Sequence, residues 1–280
     1  MRVIQDTVVI AAVEKMCIEA NCHLCEDVKS AIEKGRKEET SPIGQYILDQ
    51  LIENAEIADS CNMPICQDTG MAVFFVEVGN KVLIEGRNLT EAINEGVRRG
   101  YTQGFLRKSV VADPFFRENT KDNTPAVIHY EFTEGDRLKI TFAPKGFGSE
   151  NMSRLKMLNP SDGMEGVKEF VIDTVLKAGP NPCPPIVVGV GIGGTMEMAA
   201  LLAKKALTKP IHEKNPVEYL DRMENEILEK INETGIGPGG LGGKTTALCV
   251  RILVYPTHIA GLPVAVNINC HAARHAEVVI

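Results

Sequence analysis

Seven residues, Pro64-Ile65-Cys66-Gln67-Asp68-Thr69-Gly70, constrain this chain more than any other stretch. They set a thiol, an amide, a carboxylate and a hydroxyl on consecutive positions and close them with a glycine. A core segment does not carry so many polar groups in a row, because each one would need a buried partner. A solvent loop has little use for cysteine, one of the most buried residue types. Upstream, Ser41-Pro42 reads as a helix start, with Ser as N-cap and Pro at the first helical position. Ile43, Ile47, Leu48, Leu51, Ile52 and Ala55 supply one apolar face, and the helix ends near Ser60. Pro64 then forces an extended entry. The stretch is therefore a loop between that helix and a strand over Met71–Val78. We read Cys66 as a ligand of an inorganic centre, with Gln67 and Asp68 facing whatever that centre activates.

Composition narrows the class. The chain has 280 residues, enough for a sizeable core, and 44% are hydrophobic. Its net charge is −7, it carries no basic run, and aromatic residues are only 5% with no Trp, so nucleic acid is not an expected partner. No apolar stretch approaches the roughly 20 residues of a membrane span. Asp6, Glu14 and Lys15 interrupt any signal-peptide core, so a cytoplasmic location is expected. In a reducing compartment the 8 cysteines read as thiols or metal ligands rather than disulfides. There is no repeat, no low-complexity segment and no clear linker. The expected architecture is mixed α/β, a single domain over residues 1–280 with helices packed around mixed β-sheet.

Along the chain, residues 6–36 read as helix on the spacing of Val9, Ala12, Val13, Met16, Cys17 and Ala20. Cys22-His23-Leu24-Cys25 falls inside it, and no second ligand pair completes a zinc site. Asn88 caps a helix to about Arg99, with Glu91 at the third position. Arg107 follows, able to hold a carboxylate as a bidentate fork; taken alone, it reads as a surface residue. Strands over Ala126–Phe132 and Leu138–Pro144 flank Gly135-Asp136 and read as a hairpin. The second runs into Lys145-Gly146-Phe147-Gly148-Ser149-Glu150-Asn151, whose small residues permit close backbone approach and whose amides suit an anion. A helix over 162–178 stops at Gly179-Pro180, and prolines then hold Cys183 stiffly in Asn181-Pro182-Cys183-Pro184-Pro185.

Two nucleotide-like motifs are discounted. A strand over Ile186–Val190, Gly189-Val190-Gly191-Ile192-Gly193-Gly194 and a helix near Met196–Leu207 match G-x-G-x-x-G, but the polar, proline-bound Thr208–Pro216 cannot be the second strand, so the ribose-binding acid is missing. A tight strand-to-helix turn accounts for the glycines. After a helix from Pro216 to about Asn232, Gly235–Thr246 nearly spells a P-loop, yet Pro238 stands where the motif needs Gly and no apolar strand leads in. An NTPase using Lys244 is the weaker reading, though the loop could bind an anion. Strands over Ala247–Tyr255 and Val264–Asn267 follow, with Pro256-Thr257-His258 between them. His271 and His275 have zincin spacing, but Ala272 replaces the general-base Glu.

Cys66, Cys183 and Cys270 each sit in a rigid loop, whereas the other cysteines lie in helical or strand patterns. Structural zinc sites close at four ligands, and electron-carrier [4Fe–4S] clusters also use four Cys. Three ligands on such a cube leave one iron open to act as a Lewis acid. Together, Cys66-Gln67-Asp68-Thr69-Gly70, Lys145–Asn151, Cys183-Pro184-Pro185 and Pro256-Thr257-His258 with Cys270 resemble the iron–sulfur-dependent class I fumarate hydratases and the related L-tartrate dehydratases. The resemblance covers essentially the whole chain and is to the alpha subunit, equivalent to the N-terminal domain of the fused form. It implies a [4Fe–4S] cluster held by Cys66, Cys183 and Cys270, and a dicarboxylate contacted by Gln67, Asp68, Arg107, His258 and the backbone near Gly148. Asp68 and His258 are the implied catalytic residues. It further implies reversible hydration of fumarate to L-malate, with tartrate dehydration as the alternative, and a separate beta subunit that carries the base in an alpha2-beta2 assembly. A non-catalytic iron–sulfur binding or sensor protein is the competing reading.

Overall fold

The structure, a computed structural model, describes residues 1–280. The chain begins β1 (Arg2–Gln5), α1 (Asp6–Cys22), α2 (Glu26–Glu38), α3 (Pro42–Cys61), β2 (Met71–Gly79), β3 (Val82–Glu85) and α4 (Leu89–Gln103). It continues β4 (Val127–Thr133), β5 (Leu138–Lys145), α5 (Phe147–Glu150), β6 (Arg154–Leu158) and α6 (Gly163–Ala178). The last elements are β7 (Ile186–Gly193), α7 (Met196–Ala206), α8 (Glu218–Asn232), β8 (Ala247–Tyr255), β9 (Leu262–Asn269) and β10 (Ala276–Val279). Helices packed on mixed sheets are thus the observed architecture, as expected. Two compact units form, one from Met1–Leu24, Ile57–Phe147 and Arg274–Ile280, the other from Cys25–Glu56 and Gly148–Ala273.

The first unit is built on a four-stranded sheet in the order β10-β5-β2-β4. β2 runs antiparallel to β5 and parallel to β4. Phe74 and Phe142 are directly opposed on β2 and β5, with ring centroids 5.0 Å apart. Around them pack Val9, Ile10, Val13 and Cys17 of α1 and Ile93, Val97 and Tyr101 of α4. Asn88 caps α4 as expected, its Oδ1 accepting from Glu91 N–H at 2.9 Å. The expected hairpin is not formed. β2 lies between β4 and β5, because its run Ala72–Val76 is buried throughout and needs a partner on each side, whereas β4 is mostly exposed and suits an edge. The expected helix over 6–36 is also two helices. α1 ends at Cys22, and Cys25 is the extended residue that precedes α2.

In the second unit the sheet order is β6-β9-β7-β8, with β7 parallel to β8 and antiparallel to β9. Side chains alternate along β7. Val188 and Val190 join a core with Phe170 and Val171 of α6 and Ile227 and Ile231 of α8. Gly189 and Gly191 meet α7: a Cβ at Gly189 would lie 2.1 Å from the Ala203 carbonyl oxygen, and one at Gly191 2.0 Å from that of Ala199. These glycines therefore let a helix lie directly on the sheet backbone. The turn explanation for the G-x-G-x-x-G spacing gives way to packing at its first two positions.

Two polar clusters tie the second unit together. Glu224 of α8 is buried and accepts from Arg251 Nη1 (2.9 Å), Asn215 Nδ2 (2.9 Å) and Ile252 N–H (2.7 Å). Glu39, just past α2, is 2% exposed, and its carboxylate accepts from the backbone N–H groups of Thr40, Ser41, Lys244 and Thr245 at 2.8–3.0 Å. Gly243 leaves it room, since a Cβ there would stand 2.9 Å from Glu39 Oε1. The P-loop-like segment thus does wrap an anion, and the anion is the chain's own. No helix is long and apolar enough to cross a membrane.

Candidate functional site

The Cys66–Gly70 loop is assembled in the first unit. Its entry is fixed where Ile65 N–H donates to the Asn21 carbonyl at 2.9 Å. Cys66 is half-buried and Gln67 exposed. Asp68 is bound on both carboxylate oxygens: Gly70 N–H donates to Oδ1 (3.0 Å) and Phe147 N–H to Oδ2 (2.9 Å). One of the amides expected to suit an anion, at the start of α5, is therefore taken by Asp68. Gly70 has φ +77°, and a Cβ there would press on Lys145 N at 2.7 Å, so the closing glycine is required by both conformation and space.

Other side chains cradle the same loop. Tyr101 is fully buried, and its hydroxyl donates to the carbonyls of Thr69 (2.8 Å) and Gly70 (3.1 Å). Burial raises its phenol well above the usual range, so it stays a neutral donor. Asn123 Nδ2 donates to the Gly70 carbonyl at 3.2 Å, while its Oδ1 accepts from Ser109 N–H at 2.7 Å. Thr69 Oγ1 donates to the Arg107 carbonyl at 3.1 Å, which ties the backbone of exposed Arg107 to the loop. Arg274 Nη2 donates to the Asp68 carbonyl at 2.9 Å. None of Tyr101, Asn123 and Arg274 was assigned a role from sequence. A buried aromatic in a helix and an Asn in a polar run carry no local signal of what they hold.

The second unit carries Cys183 and Cys270. Cys183 precedes β7 and Cys270 follows β9, and these strands are antiparallel neighbours with Val187 opposite Asn269. Both cysteines therefore stand at the same end of the sheet. The loops are bonded to each other, because His271 N–H donates to the Cys183 carbonyl at 3.4 Å and His271 Nδ1 lies 3.1 Å from the same oxygen. Cys183 is exposed, with φ +55°, and Cys270 is half-buried. Gly148 is exposed, and a Cβ on it would lie 3.9 Å from the Asn181 carbonyl, beside the Cys183 loop. Behind Gly148, Glu150 is held by Lys204 Nζ and by Asn267 Nδ2 (2.9 Å).

His258 stands elsewhere in this unit. It follows β8, whose last residue Tyr255 pairs with Gly193 at the far end of β7. The 8 residues of β7 span about 26 Å at roughly 3.3 Å per residue. His258 is exposed, with Nδ1 accepting from Ala260 N–H at 3.2 Å, and its turn closes where Gly261 N–H meets the His258 carbonyl at 2.9 Å. The same sheet thus brings Cys183, Cys270 and Gly148 together and sets His258 at its opposite end.

Thiolates are the donor type that iron–sulfur centres take. No three His, Cys, Asp or Glu side chains converge as a ready cage for one metal ion. The thiols that remain include unsuitable ones: burial pushes Cys249 up to about 12 and raises Cys17 further, so both stay protonated. Cys66, Cys183 and Cys270 lie on loops with at least part of each residue accessible.

Comparison with known proteins gives the class. The fumarate hydratase (Fumerase) family model matches residues 10–279. A putative L(+)-tartrate dehydratase subunit alpha of Methanocaldococcus jannaschii is 48% identical over 264 residues, covering 92% of each chain. An L(+)-tartrate dehydratase subunit alpha of Escherichia coli (strain K12) is 33% identical over 259 residues, covering 91% of this chain and 85% of the relative. The chain belongs to the fumarate hydratase family, and as a member it is a hydro-lyase.

Proposed function

We propose that the chain is the cytoplasmic alpha subunit of a [4Fe–4S]-dependent hydro-lyase that hydrates fumarate to L-malate. Its two compact units would act as one catalytic domain over residues 1–280, with the cluster held by Cys66, Cys183 and Cys270. The observation that carries this reading is the latch between the Cys183 and Cys270 loops at one end of β7 and β9, in a chain matched by the family along residues 10–279. When bound, the cluster supplies a Lewis-acidic iron to an oxygen of the reacting species. The chain's own residues bind and orient. Arg107 offers a planar fork to a carboxylate, Gln67 offers an amide donor and acceptor, and Gly148 leaves its backbone open to close approach. Asp68, with an amide on each oxygen, is a fixed acceptor that orients a proton rather than a group free to swing.

The relatives' names place subunits of the alpha type in their own enzymes, which supports a separate beta chain here, carrying the remaining carboxylate-binding groups and the base. His258 lies about 26 Å of strand away from the Cys183 end of its sheet. It would serve a site as the contribution of a second alpha chain, as an alpha2-beta2 assembly allows. Tartrate dehydration is the second reading, favoured by the names of both relatives above. An anaerobic assay of the reconstituted alpha–beta complex against fumarate, L-malate and both tartrates tests the proposal. Turnover of fumarate and malate is expected. Turnover of tartrate alone would establish the second reading, and a cluster-bearing complex inert to all of them would leave a binding or sensor protein.

A further inference from the structure

Arg274 is the least satisfied charge in the molecule. It is 3% exposed, yet only Nη2 has a partner, the Asp68 carbonyl at 2.9 Å. Nε and Nη1 are buried without a hydrogen bond, and no carboxylate lies within ion-pair distance. A guanidinium stays ionised under all ordinary conditions, so it cannot escape this burial by losing its proton. No neighbour forms an ion pair with it. The Asp68 carboxylate is turned to the backbone amides of Gly70 and Phe147 rather than to the guanidinium, and Tyr101 is held neutral. Cys22 is buried beside it, and burial raises that thiol despite the attraction of Arg274. Arg251, half-buried rather than buried, nevertheless has its Glu224 partner, so the fold pairs even a less enclosed charge in the second unit. A buried cation without a counter-charge is strongly unfavourable unless an anion arrives.

The anion that fits is the one the loop above it would carry. A cube held by thiolates is anionic, and Cys66 begins the loop whose backbone Arg274 grips. We propose that Arg274 is a positioning residue for the Cys66–Asp68 loop and the buried counter-charge of the thiolate-bound centre. The inference rests on the iron–sulfur reading for its electrostatic half only; the grip on Asp68 stands without it. Outer groups of this kind orient ligands and tune a metal centre without touching it.

Arg274→Met and Arg274→Lys would be compared with the wild-type alpha chain, first without cluster and then in the reconstituted alpha–beta complex. In the cluster-free chain, amide exchange of residues 66–70 should quicken in both variants, with far-UV circular dichroism unchanged. In the complex, Arg274→Met should release iron to a chelator roughly 10–100-fold faster than wild type, while Arg274→Lys, which keeps the charge and loses the fork, should stay close to wild type. A folded Arg274→Met with wild-type loop exchange and wild-type iron release would overturn the proposal. Should the Met variant fail to fold, Arg274→Lys decides: quickened exchange with retained iron supports it, and unchanged exchange sinks it. A wild-type complex that holds no iron–sulfur cluster would defeat the functional reading instead, and loop exchange would still judge the grip on Asp68.

Discussion

At the scale of single residues, carboxylates in this chain serve as internal anions. Glu39 fills the glycine-rich loop at 235–246, and Asp68 fills the amide at the start of α5. Burial alone would raise the Glu39 carboxyl, but the amides of Lys244, Ser41 and Thr245 and the Thr245 hydroxyl outweigh it and hold it below its ordinary 4.5. A carboxyl whose folded value is depressed stabilises the fold above its unfolded value and loses that contribution as pH falls through the folded one. Glu39→Gln should therefore lower stability by about 1–3 kcal/mol near neutrality, and the gap to wild type should close in acid, as urea denaturation at several pH values would show. Nucleotide should not bind Lys244 in the wild-type chain. Among the cysteines, Ser replacements at Cys66, Cys183 and Cys270 should each abolish cluster absorbance, while Cys249→Ser should leave it intact, since that thiol is pushed up to about 12. Retention of a full cluster in Cys270→Ser would refute the ligand set. The constrained loop itself was legible beforehand. Cys66, Gln67 and Asp68 announce themselves by polarity in a constrained loop, whereas Glu39 looks like any acidic residue at a helix end.

Elements were legible where periodicity was strong, and obscured where neighbours decide. Ser41-Pro42 and Asn88 start α3 and α4 because caps are local chemistry. Strand partnership is not local. Gly135-Asp136 suggests a hairpin, but the burial of β2 on both sides places it between β4 and β5. Glycines at 189 and 191 show the same limit: their spacing is visible, and only the docking of α7 reveals its reason. Gly189→Ala or Gly191→Ala would drive a methyl into a helix carbonyl. Each should cost at least the roughly 1–3 kcal/mol typical of overpacking, read as a lower thermal midpoint. A reversal, with either variant as stable as wild type, would mean that α7 has slack the packing does not suggest.

For the whole molecule, the chain crosses between its two units at residues 24–25, 56–57, 147–148 and 273–274. No shift in composition marks these points, because each unit draws its core from segments far apart in sequence and neither needs a linker. The position of His258 was invisible for a related reason. It lies only 12 positions before Cys270 in the chain, yet most of that interval is extended β9, which converts short sequence separation into distance. If a second alpha chain supplies His258, mixing Cys66→Ser chains with His258→Ala chains should recover part of the activity that each lacks alone; no recovery would assign His258 to its own chain or to none. Isolated alpha should turn over negligibly without its partner. The sheet that separates the two ends also insulates them from each other. As a spacer of fixed length, it lets the 256–261 turn change shape without moving the cysteine end. A substitution in that turn should leave the latch between the Cys183 and Cys270 loops as it is.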